Sequence, residues 1–202
     1  MFLNKPIRRL FTNDTVDNSR CKSKAVICID ASHGGGDAGY TSDGHTSEKD
    51  LNLIIAKKIG DSLASVGYNV VYTRSDDSSL QQKIVLLQST QQKGKVFDFY
   101  SNEFKLGFSI QRLLHFTQPN DNMIQLAKKL AQTMNSINLS QFEGIDSDHY
   151  ENFPILYDSQ IPSILLELGY LSNSEDYTKL TDETFQQKIA NAITESFLDQ
   201  IN

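Results

Sequence analysis

A short apolar run, Ala25-Val26-Ile27-Cys28-Ile29, breaks at once into Asp30-Ala31-Ser32-His33-Gly34-Gly35-Gly36-Asp37. The run has the length and residue types of a buried strand. The glycines let the backbone leave that strand at dihedrals other residues avoid, and they leave space beside an imidazole for a metal or a substrate. The junction therefore describes a strand that delivers His33 to a sheet edge. A histidine beside a glycine turn is more often a hydrogen-bonded loop residue than a ligand, so any partners must come from elsewhere in the chain.

The 202 residues suit one domain and suffice to bury a substantial core. Residues 1–24 carry a net charge of +4 and read as a basic extension or linker, whereas residues 25–202, the expected domain, carry −10. An acidic body lacks the broad basic face that nucleic acid requires, which excludes DNA and RNA as partners. Arg8 and Arg9 interrupt the place where a signal peptide would need its apolar core, so no export signal is visible. No apolar run approaches the roughly 20 residues that span a bilayer. Cys21 and Cys28 fit no metal-binding cysteine pattern, and a disulfide between them is not indicated.

From residue 25 onward, strand-like and helix-like periodicities alternate, which points to an α/β domain. Glu48 to Leu63 reads as a helix with apolar positions 51, 54, 55, 59 and 63 on one face, capped by Ser47 with Asp50 in a box-like arrangement. Gly67 ends it, and 68–73 forms the next strand. Further helices are expected over 80–92, 123–134 and 182–200. Further strands are expected over 96–100, 107–116, 154–156 and 163–168.

Two carboxylates stand out. Glu48 falls in the first turn of its helix, where the dipole favours negative charge and the side chain can reach back over the sheet edge. Glu167 interrupts the apolar run Ser163-Ile164-Leu165-Leu166-Glu167-Leu168, just before Gly169. Alternation turns it away from Leu166 and Leu168, and a carboxylate in such a strand needs a partner, a metal or a raised pKa.

These residues stand in a series of ordered motifs: Asp30-Ala31-Ser32-His33-Gly34-Gly35, Glu48-Lys49-Asp50-Leu51-Asn52-Leu53, Gly67-Tyr68-Asn69-Val70-Val71-Tyr72-Thr73-Arg74, Ser79-Leu80, and Pro162 through Glu167-Leu168-Gly169-Tyr170-Leu171-Ser172-Asn173. The series resembles the zinc-dependent N-acetylmuramoyl-L-alanine amidases, over nearly all of the chain after the basic arm. The first motif stands where that family carries Asp-Pro-Gly-His-Gly-Gly. The resemblance implies a single α/β domain with a central mixed sheet flanked by helices on both faces. It implies a peptidoglycan hydrolase that cuts between N-acetylmuramic acid and L-alanine, with His33 and Glu48 as zinc ligands and Glu167 as the catalytic carboxylate. It further implies a peptidoglycan or muropeptide substrate, a role in cell-wall remodelling and division, a location in the periplasm or cell envelope, and room for a regulatory protein partner.

One motif departs from the family. Its second zinc histidine lies in a Ser-Ile-His-Ala-Asn strand, and no histidine stands in a matching place here. In one register Tyr100 takes that position. A later register uses Ser109-Ile110-Gln111 and offers Gln111, and His115 could supply an imidazole from a neighbouring strand. Tyrosine and glutamine are weaker matches to zinc than histidine. His45 and His149 read as loop or solvent-facing residues. Two other readings stay open: a non-catalytic or metal-impaired relative that binds peptidoglycan or a partner protein, and a serine-type wall peptidase using Ser19 and Lys22 of a Ser-x-x-Lys pattern.

Overall fold

The computed structural model describes residues 26–42, 45–78, 94–102, 113–116, 121–139, 144–146 and 163–198. They form one mixed six-stranded sheet, a small two-stranded hairpin and four helices. The strands of the large sheet are β1 (Val26–Ala31), β4 (Asn69–Tyr72), β5 (Gly94–Asn102), β6 (Leu113–Phe116), β7 (Gly144–Asp146) and β8 (Ser163–Tyr170), in the order β4-β1-β5-β8-β6-β7. β4, β1, β5 and β8 run parallel, β6 is antiparallel to β8, and β7 is parallel to β6. The expected mixed α/β sheet is thus observed.

Parallel neighbours need a crossover, and α1 (Glu48–Ser65) supplies the one between β1 and β4. Its buried stripe is Glu48, Leu51, Asn52, Ile55, Ala56, Ile59, Gly60 and Leu63. Ile54, expected on that face, is 44% exposed. At 100° per residue it lies roughly 150° from the centre of the stripe, so the small residues Ala56 and Gly60 take the inward places. A Cβ on Gly60 would come within 1.8 Å of the Tyr72 hydroxyl oxygen, and this brings the helix close to β4. Gly67, at φ 94°, turns the chain out of α1 in the left-handed region that glycine tolerates.

Three more helices follow: α2 (Asp121–Ser136), α3 (Ser174–Thr181) and α4 (Glu183–Leu198). α4 packs against both α1 and α2, and its Ile189, Ile193 and Phe197 join Ile55, Ile59, Leu63, Leu126, Leu130, Ile27, Ile29, Ile164 and Leu166 in one core. Each such side chain contributes about 1.5–3 kcal/mol on full burial. Tyr68 meets Phe197 edge-to-face at 5.9 Å and donates its hydroxyl to the Phe197 carbonyl at 3.0 Å.

The expected strands over 68–73, 96–100 and 163–168 and the helices over 123–134 and 182–200 correspond to β4, β5, β8, α2 and α4. Of the strand expected over 107–116, the described part is β6. The helix expected over 80–92, the strand over 154–156 and the basic arm lie outside the described residues. Sequence reading missed three elements: the hairpin of β2 (Thr41–Ser42) and β3 (Thr46–Ser47), strand β7, and helix α3. Two of these carry legible signals. An Asp43-Gly44 dipeptide stands between the hairpin strands, and Asn173 precedes α3 as an N-cap.

Candidate active site

His33 lies two residues beyond β1 and adopts φ 64°, a left-handed conformation unusual for a residue with a side chain. A tight turn holds it there: Gly34 N donates to Asp37 O at 2.9 Å and Asp37 N donates back to Gly34 O at 3.2 Å. On one side of the imidazole, Nδ1 is 2.9 Å from Asp37 Oδ2. On the other, Nε2 is 3.4 Å from Glu48 Oε2. Burial works against the imidazolium, but hydrogen bonds and negative charge from Glu48 and Asp37 outweigh it and hold the His33 pKa above its ordinary value.

Glu48 opens α1 and is fully buried. Its Oε2 accepts from Tyr40 N at 3.0 Å, while Oε1 has no hydrogen-bond partner among the described residues. Gly39, at φ 61°, forms the floor beneath the pair. A Cβ there would approach Glu48 Oε2 and His33 Cδ2 to 2.7 Å each. Glu48 N donates to Tyr40 O at 2.8 Å and Lys49 N to Ala38 O at 3.2 Å, so the loop before the hairpin satisfies the first amides of the helix. This corrects the expected cap. The Ser47 side chain accepts nothing from the helix and instead donates to Asp50 Oδ2 at 2.5 Å.

Beneath this corner lies Arg74, buried two residues beyond β4. It donates to four backbone carbonyls: Ala31 at 2.8 Å, Ser32 at 3.1 Å, Lys49 at 2.7 Å and Asp76 at 3.1 Å. A guanidinium carries five N–H donors in a rigid fork, which suits this task. Burial lowers the Arg74 pKa against the charges of Asp30, Asp77, Asp50 and Asp76, and the group stays cationic. Thr73 donates its hydroxyl to the buried Asp30 carboxylate. Asp77 accepts from Gly35 N at 2.8 Å and from Lys49 Nζ at 2.7 Å, and these bonds, with the Lys49 charge, hold its pKa below the usual carboxylate value. Sequence reading placed Thr73, Arg74 and Lys49 in motifs without giving them roles. The structure shows them as the frame that ties the β1 exit to the start of α1.

Glu167 lies in β8 with 6% exposure, between the buried Leu166 and Leu168. β5 separates it from β1. Glu167 is in register with Tyr100, and the pairing of Ala31 with Phe99 brings Ser32 next in line beside Tyr100. Two strand spacings, about 10 Å, thus separate the Glu167 backbone from the residue preceding His33. The β5/β8 register shifts immediately after Tyr100, an irregularity of the kind found beside functional sites. His115 lies in β6, in register with Leu165 and Asp146. His45 is exposed in the hairpin. Gln111, His149, Cys21, Ser19 and Lys22 lie outside the described residues, and Cys28 is buried in β1. Among the described residues, no group of three or more His, Cys, Asp or Glu side chains converges as a metal cluster.

Parallel strands thus carry His33 just beyond one carboxyl end and buried Asp30 and Glu167 near the ends of β1 and β8, at the edge of an α/β sheet where ligand sites usually lie. The chain belongs to the N-acetylmuramoyl-L-alanine amidase family, whose model matches residues 27–199. An uncharacterized protein of Bacillus subtilis strain 168, YqiI, is 32% identical over 181 residues, covering 87% of this chain and 85% of YqiI. The probable cell wall amidase LytH of Staphylococcus aureus is 28% identical over 188 residues, which is 92% of this chain but 61% of LytH. This chain therefore spans less than two thirds of that relative. Among solved structures, the CwlD amidase of Clostridioides difficile in complex with the GerS lipoprotein superposes with a TM-score of 0.76 at 28% identity, over 88% of this chain and 98% of that one. The catalytic domain of CwlV, an N-acetylmuramoyl-L-alanine amidase from Bacillus (Paenibacillus) polymyxa, gives 0.75 at 26% identity, over 87% and 97%.

Proposed function

We propose that this chain is a peptidoglycan hydrolase that cleaves the amide between N-acetylmuramic acid and the L-alanine of the stem peptide. In this reading His33 and Glu48 hold zinc, and Glu167 is the general base. The observation that carries it is Glu48 Oε1, a buried carboxylate oxygen without a hydrogen-bond partner among the described residues. Burying such an atom is costly unless a cation completes it. His33 Nε2, 3.4 Å from the other oxygen of the same carboxylate, Oε2, adds a nitrogen donor, a pairing that matches the preferences of zinc. The residues fit the metal.

When bound, zinc supplies Lewis-acid polarisation of the amide carbonyl and acidifies water. Glu167 accepts the proton of the attacking water and passes it to the nitrogen of the leaving alanine. Tyr100, Gln111 and His115 remain the candidates for a third ligand. The register of Tyr100, between Ser32 and Glu167, favours it over His115. The substrate places the chain in the periplasm or cell envelope. The expected division into a basic arm over 1–24 and a catalytic domain over 25–202 belongs to the same reading. A regulatory protein partner is consistent with the lipoprotein bound to CwlD. No described helix is long and apolar enough to cross a membrane.

Metal content and turnover measured on one sample test the proposal. Stoichiometric zinc with release of stem peptide bearing a free L-alanine amine is expected. Glu167→Ala should abolish turnover while leaving zinc in place. A metal-free protein that still binds wall fragments would overturn the proposal in favour of the non-catalytic relative.

A further inference from the structure

The carboxylate of Asp37 is bonded on both sides. Its Oδ2 is 2.9 Å from His33 Nδ1, and its Oδ1 accepts from Gly39 N at 3.1 Å. Gly39 is the floor residue whose Cβ would strike both His33 and Glu48, and the next residue, Tyr40, donates its amide to Glu48 Oε2. One side chain therefore orients the imidazole and also anchors the backbone segment that holds the glutamate. The ring contacts on its two sides are unequal: 2.9 Å from Nδ1 to Asp37 against 3.4 Å from Nε2 to Glu48. A neutral imidazole has one N–H, and the shorter contact with good hydrogen-bond length claims it.

We propose that Asp37 is a positioning residue that fixes the tautomer of His33, keeping the proton on Nδ1 and leaving the Nε2 lone pair turned towards Glu48. An outer carboxylate of this kind sets ring orientation and raises the basicity of a metal-binding imidazole. The consequence for zinc rests on the reading given under Proposed function, whereas the consequence for the tautomer does not. Asp37 has a 53% exposed side chain, so its replacement removes the orientation without opening the core.

Nitrogen-15 NMR of the His33 ring in metal-free protein, at a pH alkaline enough to keep the ring neutral, tests the tautomer directly. Zinc affinity is measured on the same samples by competition with a chromophoric chelator. The wild type is expected to show Nδ1–H. Asp37→Ala is expected to shift the proton towards Nε2 and to weaken zinc binding by about 10- to 100-fold. Asp37→Asn keeps one carbonyl oxygen, which can accept from Nδ1–H once the bond to Gly39 N is given up, so it should restore the wild-type tautomer and only part of the affinity. A merely structural role would move neither the tautomer nor its rescue by asparagine. An Nε2–H tautomer in the wild type, or an Asp37→Ala protein with unchanged tautomer, overturns the proposal. A wild type that shows Nδ1–H but binds no zinc sustains it while removing the metal reading.

Discussion

At the exit of β1, His33 and Glu48 sit in a lattice of polar side-chain bonds drawn from Asp37, Tyr40, Arg74, Lys49 and Asp77. Near the exit of β8, Glu167 is buried between Leu166 and Leu168 along the strand, and the turn beyond it is held differently. There Asp176, fully buried, accepts from Tyr170 N at 2.9 Å, and Asn173 caps α3 by accepting from the amides of Glu175 and Asp176. The first corner fixes two side chains relative to each other, so its parts must match within fractions of an ångström. The second carries its carboxylate on a buried strand paired with β5 and β6. Under the proposed function, the frame serves the two zinc ligands and the buried strand serves the base.

Substitutions should separate the two corners. The largest effect is expected at Glu167. Glu167→Gln should lower amidase turnover on the order of 10²- to 10⁴-fold with zinc content unchanged, measured by product release and metal analysis. Glu48→Gln should instead remove the metal and turnover together. Loss of zinc in the Glu167 variant would merge the corners into one ligand set. Arg74→Met comes next. It strips donors from the carbonyls of Ala31, Ser32 and Lys49 and should cost about 3 kcal/mol in denaturant unfolding, with zinc affinity falling in the same variant. A stable Arg74→Met protein with full zinc affinity would refute the frame.

Gly39→Ala should cost about 2 kcal/mol and weaken metal binding, because the added methyl meets Glu48 and His33 in a left-handed backbone. At the other corner, Asn173→Ala should cost about 1 kcal/mol with zinc affinity intact, read by thermal unfolding and chelator competition. The smallest effect lies in the core, away from both. Burial pushes the Tyr68 phenol up to about 12 from its ordinary 10.0. The folded state thus disfavours the phenolate: this stabilisation is full below pH 10.0 and is lost as pH rises through about 12. Tyr68→Phe should flatten that part of the alkaline unfolding profile.

The corners also differed in how plainly the sequence announced them. The β1 run and its glycines, the start of α1 at Glu48 and the apolar strand around Glu167 were legible because burial period, glycine and an out-of-place charge are local signals. The roles of Arg74 and Asp37 were not. Arg74 acts on main-chain oxygens, which have no residue identity to read, and Asp37 acts through the far side of a ring. The Ser47 cap failed for a related reason: the carbonyls of Ala38 and Tyr40 had already taken the helix amides. Ile54 was misplaced because its hydrophobicity was weighed above its angle, roughly 150° from the centre of the buried stripe.

The grip of Arg74 on carbonyl oxygens has an evolutionary side. Every residue supplies the same carbonyl, so the guanidinium by itself does not choose which side chains stand at the positions whose oxygens it holds. Ala31-Ser32 can therefore stand where the family carries Pro-Gly, and the strand still delivers its histidine. Loss of the guanidinium, by contrast, releases all four oxygens at once.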